Sequence, residues 1–105
     1  MRRGEVWRLE GLRGDQHVAL ISSDEARPLI GPPVAARIVS SLAEEPPESM
    51  FVQRLSELDP LEGWVFVYSQ YQPAMFRYDE GELIGMLTGA TLEKIKAALK
   101  ALYEL

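Results

Sequence analysis

Two neighbouring stretches near the end of the chain constrain its fold most: an apolar run too short for a helix, and an amphipathic segment with its own start signal. Gly63-Trp-Val-Phe-Val-Tyr-Ser69 is β-branched and aromatic, bounded by Gly63 and Gln70, and reads as a core strand covered on both faces. Trp64 and Tyr68 are accordingly expected inside. From Thr88 to Leu105, Leu92, Ile95, Leu99 and Leu102 recur at steps of three and four while Lys94, Lys96 and Lys100 fall off that stripe. This is a helix with one apolar face. Thr88, or alternatively Thr91, can accept from the free amides of the first turn, and Lys100 suits the negative end of the helix dipole. The helix is therefore expected to lie on a sheet and cap its core.

The 105 residues, 47% of them apolar, fit a single domain over 1–105 able to bury a core without covalent staples. The absence of cysteine excludes disulfides and thiolate metal sites, and the lone His17 argues against a histidine zinc site. No metal or other cofactor is expected. No apolar run is long enough for a membrane span, and Met-Arg-Arg-Gly-Glu lacks the apolar centre of a signal peptide, so a cytoplasmic protein with no membrane partner is expected.

The net charge of −5 is local. Residues 43–62 hold Glu44, Glu45, Glu48, Glu57, Asp59 and Glu62 against Arg54 alone, with Pro46, Pro47 and Pro60 among them, and read as solvated loops around one short strand. Elsewhere ten basic and ten acidic residues cancel. Arg2, Arg3, Arg8, Arg13 and Arg37 leave room for a weakly basic face early in the chain, for which ordinary surface arginines are the plainer reading.

Taken in order, Glu5-Val-Trp-Arg-Leu9 alternates as a half-buried strand with Trp7 and Leu9 inward. A turn at 11–14 leads to a second strand, His17 to Ser22, and so to a hairpin. A loop spans 23–33. Val34 to Ser41 is a third strand fenced by proline pairs, Met50 to Leu55 a fourth, and 63–69 the fifth. Phe76-Arg-Tyr78 is expected to pair briefly, and 83–87 to lead into the helix. The predicted class is mainly β with α: a small, strongly bent antiparallel five-stranded barrel with a C-terminal helix packed on it.

Order and punctuation resemble the MazF/PemK/Kid toxins of bacterial toxin–antitoxin pairs, which share a fold with the CcdB gyrase poisons. Arg3-Gly-Glu-Val-Trp7 is similar to that family's opening, Val18-Ala-Leu-Ile-Ser22 to its second strand, and Ser69-Gln70 with Ile84-Gly-Met-Leu-Thr88 to its fifth strand and the entry to its last helix. The resemblance spans the whole chain. It implies a homodimer and a metal-independent endoribonuclease for single-stranded RNA, silenced by an antitoxin protein. The family's chemistry uses an Arg-Pro pair at the head of the second strand and a Thr at the end of the third.

At those positions this chain has Gln16-His17 and Ser40, or Ser41 with a slip of one. Serine keeps a hydroxyl; glutamine carries no charge. His17 is the one side chain with an ordinary pKa of about 6.5, suited to moving protons between the 2′-hydroxyl and the leaving 5′-oxygen. His17 and Ser40 are thus the catalytic candidates. Arg13, Gln16, Arg37, Ser41, Gln70 and Tyr71 are the RNA-binding candidates: Arg13 and Arg37 for phosphates, Gln70 for a base edge, Tyr71 for stacking. Each has a plainer reading as a surface or strand-end residue. Two further classes compete with the ribonuclease: an inactive relative serving as a partner-binding module, and a gyrase-poison-type toxin. Against the last, the chain ends Tyr103-Glu-Leu105 where those toxins end Trp-Gly-Ile.

Overall fold

The computed structural model describes residues 1–11, 14–40, 42, 44–47 and 49–104, with Phe76 by its backbone alone. Six strands form one antiparallel sheet: β1 (Glu5–Leu9), β2 (Gln16–Leu20), β3 (Ala35–Val39), β4 (Val52–Arg54), β5 (Trp64–Tyr71) and β6 (Glu82–Met86), in the order β4-β5-β3-β2-β1-β6. Three helices complete it: α1 (Arg27–Ile30), α2 (Met75–Asp79) and α3 (Gly89–Tyr103). The class is the expected one, with two corrections. The sheet is open, its edges β4 and β6 not paired with each other, and the sixth strand is the segment expected merely to lead into the helix. Phe76-Arg-Tyr78 does not pair; it lies in α2.

Both faces of the sheet are covered, but unequally. On one face α3 lies over Val6, Ala19, Ile21, Ala36, Ile38, Val65 and Val67, contributing Ile95 and Ala98. On the other, Leu9, Val18, Leu20 and Ala35 gather under Tyr78 of α2, with Trp7 and Tyr71 alongside. Val6, expected outward, is therefore buried: strand alternation does send it away from Leu9, but α3 waits on that side. The Tyr78 cluster does not reach β5's far end. Val65 and Val67 are buried, whereas Trp64 and Phe66 are half-buried and Tyr68 is 57% exposed. So β5 is covered on one face only along that stretch, contrary to the two-sided burial read from its apolar run.

Two close approaches fix the register. Gly63 has φ +142°, and a side chain there would strike the backbone of Val39 and Ser40, so β5 can start hard against β3 only with glycine. Gly81 is pressed against Arg8 and Leu9, where α2 turns into β6. In α3, Thr88 is the N-cap, its hydroxyl accepting from the Thr91 amide at 3.2 Å. The most buried line runs through Thr91, Ile95 and Ala98, a slight rotation from the leucine stripe, because small residues let the helix approach the sheet.

One acidic residue contradicts the reading of 43–62 as solvated. Asp59 is 8% exposed. Its carboxylate accepts from the Thr88 amide (2.8 Å), the Thr91 hydroxyl (2.6 Å), the Ser56 amide (2.7 Å) and the Ser56 hydroxyl (2.9 Å). It thus ties the loop before β5 to the start of α3.

Candidate active site

The side of the sheet away from α3 carries the densest group of functional candidates. Gln16 opens β2 opposite Leu9, and its Oε1 accepts from the Tyr71 hydroxyl at 2.9 Å. Tyr71 lies opposite Ala35 on β3, and Arg37, exposed two residues further along β3, projects to the same side. Burial raises the Tyr71 pKa, and the positive charges of Arg77 and Arg37 partly oppose that rise. Beneath lies Tyr78, its ring edge-on to Trp7 at 5.4 Å. Burial pushes its pKa upward strongly, and its hydroxyl has no hydrogen-bond partner among the described residues.

Strand alternation separates the candidates that adjoin in sequence. His17 pairs with Arg8 and Ile38, and Ile38 belongs to the cluster under α3, so His17 projects to the face opposite Gln16. Ser40 is exposed just past β3, at the same end of the sheet as His17, and no hydrogen bond links the two. Gln70 pairs with Ala36 on the α3 side, and its amide is engaged at both ends: Oε1 accepts from the Tyr103 hydroxyl (2.6 Å), Nε2 donates to the Val67 carbonyl (2.9 Å). Arg13 and Ser41 lie outside the described residues. The structure therefore brings together Gln16, Arg37 and Tyr71, and leaves His17, Ser40 and Gln70 elsewhere.

Arg77 joins the group without having been a candidate. Read as part of a brief strand, 76–78 gave no reason to expect it near Tyr71; α2 turns the chain back over β1 and brings it there. Its signal in the sequence is only a cation a few residues beyond the aromatic end of β5.

Chemically, this surface offers cations and donors. Arg37 and Arg77 suit phosphate oxygens. Tyr71, its pKa raised, keeps its proton at neutral pH and acts as a donor or weak acid. Strands β2 to β5 carry no carboxylate, and Glu5 of β1, which lies on this side, is buried and accepts from the Trp7 indole at 3.3 Å. Among the described residues, no cluster of three or more His, Cys, Asp or Glu is arranged to hold a metal ion. No helix among them is long and apolar enough to cross a membrane.

No family model matches the chain, and neither does any curated protein. Solved structures do match along its whole length. An endoribonuclease in complex with its cognate antitoxin from a mycobacterial species superposes with a TM-score of 0.78 at 24% identity, covering 96% of this chain and 92% of that one. The MazE–MazF complex of Deinococcus radiodurans superposes with a TM-score of 0.75 at 16% identity, covering 100% and 96%. MazF alone from the same organism gives 0.73 at 15% identity, covering 100% and 97%. The chain has the MazF-type fold.

Proposed function

We propose that this chain is the toxin of a toxin–antitoxin pair, an endoribonuclease acting on single-stranded RNA through the face that carries Gln16, Arg37, Tyr71 and Arg77. The observation that carries the reading is the convergence, on a full-length MazF-type fold, of two arginines and a tyrosine hydroxyl around Gln16, where the resemblance puts the family's catalytic arginine. Attack of the ribose 2′-oxygen on phosphorus breaks the bond to the 5′-oxygen; the 2′-proton must leave and the 5′-oxygen must gain one. Arg37 and Arg77 stabilise the charge that grows on the phosphate oxygens, in place of the arginine that Gln16 replaces. Tyr71 supplies a hydroxyl able to protonate the leaving oxygen. His17 faces the other side of the sheet, so in this reading it does not take the 2′-proton. With no general base beside Gln16, the 2′-proton passes to water, and cutting is expected to be slow.

The same reading makes the protein a cytoplasmic homodimer with an antitoxin partner. Pairing hides part of an open sheet whose edge strand β6 exposes Leu83 and Met86. The antitoxin contact is expected to lean on apolar groups, with a shallow salt dependence, since few cations remain to attract an acidic tail. A second reading, an inactive binding module, is favoured by the lack of a neutral-pH titrating group among Gln16, Arg37, Tyr71 and Arg77.

The deciding experiment incubates the purified protein with long single-stranded RNA, with and without EDTA, and maps the ends. Discrete cuts leaving 2′,3′-cyclic phosphate and 5′-hydroxyl ends in both conditions support the ribonuclease. Intact RNA, with retained binding of an antitoxin encoded beside it, supports the module.

A further inference from the structure

Continuing along the same face from Gln16 toward β4, the sheet carries a row of aromatic rings that the core does not use. Trp64, Phe66 and Tyr68 occupy alternate positions of β5; Phe66 meets Tyr68 edge-on at 5.9 Å, and Tyr68 is the most exposed of the three. Register fixes their neighbours. Phe66 lies between Arg37 of β3 and Val52 of β4, and Trp64 between Val39 and Arg54. The Arg54 guanidinium sits over the Trp64 ring at 6.0 Å, held by the exposed Glu45 at 3.3 Å. Arg37 has no ion-pair partner among the described residues.

Three rings in line on an open sheet face, with a cation on each flanking strand, match the chemistry of single-stranded nucleic acid. Every base has a π-face to lay on a ring, and every linkage has a phosphate to meet a guanidinium. We propose that Trp64, Phe66 and Tyr68 form a stacking platform for the bases of the RNA strand, with Arg37 and Arg54 holding the phosphates on either side. This rests on the ribonuclease reading and adds to it the place where bases adjacent to the cut lie. A second copy of the chain is the other occupant that an aromatic face invites. Charge argues against it: two such faces meeting about a two-fold axis would bring the two Arg37 guanidiniums together, with only the Glu45 carboxylates, already engaged by Arg54, to offset them, whereas a polyanion satisfies them. In a chain of net charge −5, a face whose strand carboxylate, Glu5, is buried against Trp7 and the Met1 amine suits such a ligand.

The test measures binding of a fluorescein-labelled 2′-O-methyl RNA oligonucleotide, which cannot be cut through its 2′-oxygen, to the full-length protein by fluorescence anisotropy. Tyr68 is exposed, so its variants should fold. Tyr68→Ala is expected to bind about 5- to 150-fold more weakly, and Tyr68→Phe within about twofold of wild type, because the ring stacks and the hydroxyl does not. Arg37→Gln should lower the slope of log K against log salt by roughly 0.7. Equal binding by wild type and Tyr68→Ala overturns the platform; if unmodified RNA is still cut, the ribonuclease reading survives. A Tyr68→Ala variant that sediments as a smaller species than wild type, with unchanged RNA binding, also overturns it and makes the row a self-contact. If wild type neither binds nor cuts RNA, both readings fall.

Discussion

Asp59 offers the sharpest test of how this fold is held together, because one carboxylate serves two segments distant in sequence. Asp59→Ala removes the partner of two backbone amides, Ser56 and Thr88, and of two hydroxyls, Ser56 and Thr91. A buried donor left without a partner costs about 1–3 kcal/mol, and loss of a helix-cap interaction about 0.5–2 kcal/mol. Thr88 is only partly buried and Ser56 is exposed, so water replaces some of this, and the net loss is expected at about 2–4 kcal/mol, a large fraction of the ~5–15 kcal/mol of a small domain. Asp59→Asn preserves shape but turns an NH2 toward donors on one side, so about 1.5–3 kcal/mol is expected. Urea unfolding followed by circular dichroism measures both. The pH dependence adds a signature. Burial alone would raise the Asp59 pKa, but the four hydrogen bonds outweigh it and the group sits below its ordinary 3.8. A depressed carboxylate contributes stability that is fully present above the unfolded value and lost as pH falls through the folded one. Wild type should therefore lose stability below about pH 4 more steeply than Asp59→Asn. A loss under about 1 kcal/mol for Asp59→Ala, or parallel acid curves for wild type and Asn, would refute the role assigned to this group.

Further outcomes follow from the same geometry. Gly63→Ala combines a strained backbone with a clash against Val39 and Ser40, so a loss of at least about 3 kcal/mol is expected in the same unfolding assay. Arg77→Gln should slow RNA cutting about 10²- to 10³-fold, as loss of one charge-stabilising group does, with circular dichroism unchanged. His17→Ala should leave the cutting rate within about threefold, since loss of a working general base or acid costs about 10²–10⁴-fold; a drop of that size would return proton transfer to His17. Tyr71→Phe removes the hydrogen bond to Gln16 and should lower the rate constant more than it raises KM, which single-turnover cutting separates.

Much of the fold was legible locally. β1 falls on the alternating Glu5–Leu9, the Thr88 cap begins α3 where its side chain can reach Thr91, and glycine at 63 marks the start of β5. The resemblance carried by Arg3–Trp7 and Ile84–Thr88 led to the right fold class. Of the site, the sequence points to Gln16, Arg37 and Tyr71, but not to their sharing a face without His17; in a strand, neighbours in sequence are opposed in space, and only the pairing of His17 with Ile38 shows which side each takes.

What the sequence alone determined is thus what short-range periodicity and capping encode: where the first five strands and the last helix run, the absence of thiol chemistry, and the neutral residue at the position of a family arginine. The tertiary structure decided what depends on distant segments meeting. It set α3 over one face and α2 over only part of the other, and so exposed Tyr68 on a strand that reads as core. It carried Arg77 back beside Tyr71. It buried Asp59, drawn from an acidic stretch that reads as solvent-facing, because the free amides and hydroxyls at the start of α3 needed an acceptor, and the loop before β5 is the segment that the sheet's register delivers there.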